Sequence, residues 1–170
     1  VRTCEARRRG EEASLPVKRP RKELPTVTVA VGVISRDGLI LIDKRQPDGL
    51  LGGLWEFPGG KKESWETLSE CIRRELFEEL GIDVRVEDHL YTVTHEYDNI
   101  IIILHFFKCS ITSGRVITDS TSETRWVEPE QLYKYDLLPP DRRFAEFFLK
   151  WRDRHDRGTC QKNKKLQEVL

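Results

Sequence analysis

The stretch GKKESWETLSECIRRELFEELGI, residues 60–82, decides the fold of this chain. Its apolar residues recur at every fourth position, which is the spacing of a helix with one buried side. The members of that stripe are Leu68, Ile72, Leu76 and Leu80. We expect the helix to run from about residue 64 to residue 80. Ser64 and Thr67 are both candidate N-caps, and Gly81 is expected to end the helix.

Three glutamates of this helix, Glu75, Glu78 and Glu79, follow the spacing i, i+3 and i+4. The spacing brings all three carboxylates to one helix face, where like charges repel by roughly a few tenths of a kcal/mol per pair. A divalent cation would relieve that repulsion, and hard oxygen ligands suit Mg²⁺ or Mn²⁺. An ordinary solvated acidic face is the alternative interpretation of the three residues taken alone.

The wider pattern favours the metal interpretation. Nine positions of residues 60–82 match the Nudix box, G-x5-E-x7-R-E-U-x-E-E-x-G-U, in which U is a bulky aliphatic residue; they are Gly60, Glu66, Arg74, Glu75, Leu76, Glu78, Glu79, Gly81 and Ile82. The chain therefore resembles the Nudix hydrolases. This resemblance implies an α/β (α+β) domain with a mixed β-sheet between α-helices. It also implies Mg²⁺-dependent hydrolysis of a nucleoside diphosphate linked to another moiety.

The resemblance also implies roles for single residues. Glu75, Glu78 and Glu79 would be catalytic metal ligands, and the carbonyl of Gly59 would be a further ligand. Arg74 would orient a glutamate through a charge-assisted hydrogen bond. Glu66 would add a more distant metal or structural contact. For one more metal-binding acid in a later loop, two candidates remain open, Asp119 and Glu123.

Outward from the box, the chain predicts strands on both sides. TVTVAVGVI and LILIDK, joined by the turn RDG, indicate a hairpin, and GLLGGLWEFPGG is typical of an irregular loop. VRV, LYTVTHEY and TRWVEP are expected to be strands, and IIIILHFFKC predicts a strand buried on both faces. EPEQL predicts a helical turn, and a closing helix is expected from residue 141 to about 154. Strands alternating with two helices indicate a mixed α/β domain.

The segment LWEFPGGK, residues 54–61, resembles the approach to the box in the MutT-like branch of the family, the 8-oxo-dGTP diphosphatases. By position, Arg45 and Phe57 match residues that line the nucleotide site there. Asp141 falls where that branch reads the base edge, and Asn99 lies where an acid occurs. Core packing is the alternative for Phe57, and an N-cap role is the alternative for Asp141. We expect hydrolysis of 8-oxo-dGTP to the monophosphate and pyrophosphate.

A second resemblance concerns residues 4–34, which are similar to the stretch joining the two halves of the MutY adenine DNA glycosylases. A cysteine at the position of Cys4 is there one of four iron–sulfur ligands, and only this one is matched. The alternative function is therefore an 8-oxoguanine-recognition domain that binds DNA without hydrolysis. The complete set of box glutamates favours the hydrolase. Whether residues 1–25 are a remnant or a fragment of a longer glycosylase stays open.

Composition sets the frame for these expectations. The chain has 170 residues, and its 29 basic and 29 acidic residues give no net charge that would attract the whole chain to nucleic acid. We expect a basic flexible arm over residues 1–25, one Nudix domain over residues 26–155 and a charged tail over residues 156–170. No apolar run is long enough for a membrane span. The four cysteines have no paired spacing, which indicates free thiols and a cytoplasmic location. Monomer and dimer both remain open.

Overall fold

A computed structural model describes residues 24–48, 51–116 and 123–152. The elements in chain order are β1 (Thr26–Arg36), β2 (Leu39–Lys44), β3 (Trp55–Glu56), β4 (Gly59–Lys61), α1 (Leu68–Leu80), β5 (Ile82–Tyr97), β6 (Ile100–Gly114), β7 (Glu123–Val127), a 3-10 helix (Pro129–Lys134) and α2 over residues 139–152. The expected arm and tail lie almost entirely outside these residues. No helix within the described ranges has the length and apolar character needed to cross a membrane.

Strand β1 organises the mixed sheet because it pairs with three other strands. It runs parallel to β6, from Thr26 opposite Ile101 to Ile34 opposite Cys109. Its other edge pairs antiparallel with β4, and its last two residues pair with β2. Strand β5 extends the sheet beyond β6, whereas β3 and β7 flank β2. The short strand that carries Gly59 and Gly60 is thus hydrogen-bonded to the central strand.

Side chains alternate along β1 and β2, and the two faces of the sheet receive different helices. On one face, Ile34 and Leu41 pack in a cluster with the buried side of α1, whose members are Cys71, Ile72, Leu76 and Leu80. On the other face, Val33 and Ile42 belong to an aromatic cluster with Phe57, Phe106, Phe144 and Phe148. The arrangement confirms the expected mixed sheet between helices.

Helix α1 begins at Leu68, four residues later than expected, and ends at Leu80 as expected. Thr67 is the N-cap: its hydroxyl accepts from the backbone N–H of Glu70, and the Glu70 carboxylate accepts from the backbone N–H of Thr67. This reciprocal capping box fixes the start of the helix, so Ser64 is not the cap. Gly81 ends the helix in the left-handed conformation, with φ of 66°.

Three other elements differ from the sequence expectation. The predicted loop contains β3 and β4, because its backbone pairs with β2 and β1. VRV and LYTVTHEY form one strand, β5, whose register shifts near His89 keep it paired with β6 through residues that the pattern left as a break. Helix α2 begins at residue 139, so Asp141 lies in its first turn and is not its N-cap.

Candidate active site

Gly60 lets α1 approach β4 closely. A Cβ at this position would lie 2.1 Å from the carboxyl carbon of Glu75, far below any real contact distance. At the neighbouring Gly59, a Cβ would lie 2.3 Å from the carbonyl oxygen of Ala30 in β1. The two glycines therefore bring a strand, a helix and a carboxylate together at one point.

Arg74 holds the acidic face of α1 together. Its Nε and Nη2 donate to the two carboxylate oxygens of Glu66 at 3.1 and 2.7 Å. Its Nη1 donates to Glu75 at 2.8 Å and to Glu78 at 3.2 Å. The hydrogen bonds from Arg74 hold the pKa of the buried Glu66 carboxyl down to about 2. These contacts are the ones that the predicted orienting role of Arg74 requires.

Glu79 makes no contact with Arg74 in this arrangement and remains solvent-exposed. Partial desolvation, and then the neighbouring carboxylates of Glu75, Glu56 and Glu78, raise the pKa of Glu79 to about 7. The carboxylate interactions are the ones that a cation would reverse, because a positive charge favours the ionised form. Glu79 is thus the glutamate of the predicted trio whose charge lacks compensation by Arg74.

The donor set of this region is made of oxygen atoms, which suits Mg²⁺ or Mn²⁺. Within the described ranges, however, no three acidic, histidine or cysteine side chains are already arranged as a metal site. Arg74 occupies the carboxylates of Glu75 and Glu78 instead. The side chain of Glu78 is 58% exposed, and it forms a 3.2 Å ion pair with Arg74, which lies one helical turn earlier. Because it is mostly in solvent, this side chain can rotate away from Arg74. The residues therefore fit a hard divalent cation in their chemistry.

A second group of carboxyls lies beside the first, and sequence reasoning missed two of its members. Nη1 of Arg45, at the end of β2, donates to both carboxylate oxygens of Glu56 at 2.9 and 2.8 Å. Asp43 lies opposite Glu56 in the β2–β3 pair. Burial, and then the charges of Glu56, Glu79 and Asp141, raise the pKa of Asp43 to about 8. The signal in the sequence was the alternation of LILIDK, which puts Asp43 on the same face as Leu41 and α1.

Asp141 is 1% exposed and joins α2 to this region. Its Oδ1 accepts the backbone N–H of Phe57 at 3.0 Å, whereas its Oδ2 is buried and has no partner within the described ranges. Burial is the main cause that raises the pKa of Asp141 to about 8. The ring of Phe57 packs edge-on against Phe106 and Phe144, as the core-packing alternative expected. A direct contact of that ring with a nucleotide stays a prediction.

The remaining predicted residues are more peripheral. Asn99 is exposed in the turn between β5 and β6. It lies two residues beyond Tyr97, whose pKa is raised by burial and then by the charge of Asp141. Glu123 opens β7 and forms ion pairs with Lys44, at 3.2 Å, and with Arg125. Asp119 lies outside the described residues. The charges of Arg45, Glu79 and Asp141 all act on the pKa of Asp43, whereas Glu123 is paired with Lys44 and Arg125.

Comparison with known proteins gives one family. The model of the NUDIX domain matches residues 29–146, which lie inside the expected domain. The CTP pyrophosphohydrolase of Escherichia coli (strain K12) is 34% identical over 123 residues, which cover 72% of this chain and 91% of that protein. The 8-oxo-dGTP diphosphatase of Proteus vulgaris is 44% identical over 80 residues, which cover 46% of this chain and 71% of that protein.

Solved structures give the same result at the level of the fold. The crystal structure of the MutT protein from Methanosarcina mazei Go1 superimposes with a TM-score of 0.68 at 27% sequence identity. The superposition covers 80% of this chain and 99% of that one. The similarity therefore extends over nearly the whole of a compact relative.

Proposed function

The chain belongs to the Nudix family of hydrolases, and from this premise we propose that it is a MutT-type nucleoside triphosphate pyrophosphohydrolase whose preferred substrate is 8-oxo-dGTP. The products would be 8-oxo-dGMP and pyrophosphate, which would remove an oxidised nucleotide before DNA replication uses it. The thiol pattern favours a reducing compartment, so we place the substrate pool in the cytoplasm.

Glu75, Glu78 and Glu79, with the Gly59 carbonyl, are the groups that would hold Mg²⁺ or Mn²⁺. The bound cation would neutralise the phosphates and lower the pKa of the attacking water. Arg74 holds Glu75 over Gly60, so this carboxylate is already fixed before substrate binds. Arg45 would contact the nucleotide, and Glu56 holds its guanidinium in place.

The proposed preference for 8-oxoguanine rests on the raised pKa of Asp141. With a pKa of about 8, its carboxyl is mostly protonated at neutral pH, so it can donate one hydrogen bond and accept another. The edge of 8-oxoguanine presents an acceptor, O6, beside a donor, the N7 proton. Guanine presents two acceptors, O6 and N7, at the same place. The protonated carboxyl therefore matches the oxidised base and leaves a group unpaired with the normal base.

Cytosine is the second candidate base, because its N3 acceptor lies beside the N4 amino donor and offers the same pairing to a protonated carboxyl. CTP is also the substrate in the name of the Escherichia coli relative. The recognition domain of an adenine DNA glycosylase, the alternative from residues 4–34, receives no support from these matches. The intact carboxylate set of α1 also favours hydrolysis over recognition alone.

A substrate panel tests the proposal. We would measure kcat/KM with Mg²⁺ for 8-oxo-dGTP, dGTP, CTP and ADP-ribose, in the wild-type protein and in Asp141→Ala. We expect 8-oxo-dGTP to exceed dGTP by about 10²-fold or more, as expected where a mismatch leaves a buried polar group unpaired. Asp141→Ala should reduce that ratio more than it reduces kcat. Asp136→Ala, at an exposed acid beside the start of α2, is the matched control.

Two outcomes would contradict parts of the proposal separately. Equal kcat/KM for 8-oxo-dGTP and dGTP would remove the base assignment, and a preference for CTP would transfer it to cytosine. Reaction in ¹⁸O-labelled water tests the bond that is cleaved. We expect the label in pyrophosphate, because water attacks the β-phosphorus; label in the monophosphate would mean attack at the α-phosphorus.

A further inference from the structure

Asp43 is a carboxyl that none of the contacts described so far explains. It is half-buried on β2, and its Oδ1 is fully buried without a hydrogen-bond partner in the part of the chain that the structure describes. An unpaired buried oxygen costs free energy, in the range of about 1–3 kcal/mol for a neutral group and more for a charged one. Such an atom therefore calls for a partner from outside the described residues, such as an ion.

The position of Asp43 gives the chemistry of that partner. Leu41 and Asp43 share the face of β2 that receives α1, and Glu79 stands in the last turn of α1. The charge of Glu79 acts on Asp43, as does that of Glu56 across the β2–β3 pair. Glu56 forms a direct ion pair with Arg45 at 2.8 Å, whereas Asp43 and Glu79 form no ion pair with any of the described residues. A cation is the partner that satisfies both.

The other candidate within the described residues is already engaged. Glu123 pairs with Lys44 at 3.2 Å and with Arg125, and hydrogen bonds from Arg125 and then Lys44 lower the pKa of its carboxyl. Its side chain is 42% exposed, at the start of β7. A carboxylate with two cationic partners gains little from a further cation, so Glu123 lacks the need that Asp43 has.

We propose that Asp43 is the additional acid of the metal site, which takes up the divalent cation or its bound water together with Glu79. The inference rests on the metal dependence in the proposed function and names a residue that lies outside the Nudix box. It assigns β2 a part in the metal site beside α1 and the glycines of β4. Asp43 is a positioning residue in this assignment, because it acts on the substrate through the cation.

Calorimetric titration of the full chain with Mn²⁺, without nucleotide, tests the assignment by a readout other than activity. Asp43→Asn keeps the shape of the side chain and removes its charge. We expect the dissociation constant for Mn²⁺ to rise by about 10- to 100-fold, the range seen when groups around a metal are removed. Glu123→Gln is the matched control and should stay within about threefold of the wild type, because its charge is used by Lys44 and Arg125.

Thermal denaturation separates this role from a purely structural one. In EDTA near pH 7, Asp43→Asn should melt no lower than the wild type, because burial raises the pKa of Asp43 to about 8 and a mostly neutral carboxyl is replaced by a neutral amide of the same shape. With Mn²⁺ added, its gain in melting temperature should be smaller than that of the wild type. Equal Mn²⁺ affinity of Asp43→Asn and wild type would overturn the assignment to Asp43. If the wild type itself binds no Mn²⁺, the metal dependence in the proposed function fails as well.

Discussion

The two faces of the sheet are covered by different types of residue. On the α1 side, aliphatic residues and Cys71 form a thin core, and the outer surface of the helix carries Arg74 and the glutamates. On the α2 side, aromatic rings fill the space, and Phe106 and Phe144 stack with centroids 4.1 Å apart and planes 5° apart. The carboxylates of the box therefore lie on the α1 side, where substitutions should change turnover, whereas substitutions in the aromatic cluster should mainly change folding.

The largest expected effect tests the α1 side. Glu79→Gln keeps the side-chain shape and removes a charge that is to hold the cation or activate water, so turnover should fall by about 10²–10⁴-fold. The melting temperature in EDTA should not fall, because one of several like charges is lost. Glu146→Gln, at an exposed glutamate of α2, should keep wild-type kcat. Half of the activity remaining in Glu79→Gln would remove Glu79 from the mechanism.

The second prediction tests the α2 side. Phe144 is fully buried and contacts the rings of Phe57, Phe106 and Phe148. Phe144→Ala should lower the free energy of unfolding by about 3–5 kcal/mol, because transfer and cavity costs add. Below the melting temperature, kcat of the folded fraction should change by less than about tenfold, since the ring is remote from α1. Tyr133→Ala, at a 74% exposed ring, should stay within about 0.5 kcal/mol in a urea titration.

The third prediction concerns Asp141, the buried ionisable group on the aromatic side, and its effect is spread over several pH units. Its pKa in the folded chain is raised to about 8, above the unfolded value near 3.9. The folded state therefore holds the proton more tightly, and this contribution to stability is complete below about pH 4 and is lost as pH rises toward 8. The slope for one proton is at most about 1.4 kcal/mol per pH unit.

Comparison with Asp141→Asn isolates that slope. In EDTA between pH 5 and pH 8, the free energy of unfolding of the wild type should fall more steeply than that of the variant. The charge of Asp141 contributes to the raised pKa of Asp43, so its removal also weakens the pH dependence that comes from Asp43, which changes the difference in the same direction. Parallel pH profiles for the two proteins would show that Asp141 does not bind a proton in the folded state at these pH values.

The α1 side was the more predictable from the sequence, because its contacts are local. The three glutamates, Arg74 and Gly81 lie within a single helix and its cap, so spacing alone brings them together. The start of α1 was misplaced, since the reciprocal bonds of Thr67 and Glu70 chose between two caps that composition left equal. Glu66 contacts Arg74 from the loop before the helix. The resemblance to the box implied a structural role for Glu66, but the sequence did not show that Arg74 would be its partner.

The parts assembled from distant segments were less predictable. Asp43 and Glu56 meet because β2 pairs with β3, and no local pattern shows that register. The segment predicted to be a glycine-rich loop contains two short strands, because its backbone pairs with β1 and β2. The composition of the segment does not indicate this pairing. For Phe57 the sequence left nucleotide contact and core packing open, and the packing partners of its ring come from β6 and α2, which no local pattern shows.

Strand β1 has a consequence for synthesis on the ribosome. When Gly81 has just emerged from the ribosome, the nascent chain already contains β1, β4 and the complete helix α1. It still lacks β6, the long parallel partner of β1, whose residues follow some 20 positions later. The edge of β1 that pairs with β6 would then stay without its hydrogen-bond partner, and open to other nascent chains, until about residue 110 has emerged. Slow translation of residues 82–100 should therefore favour aggregation, whereas fast translation of β5 should protect the segment from β1 to α1.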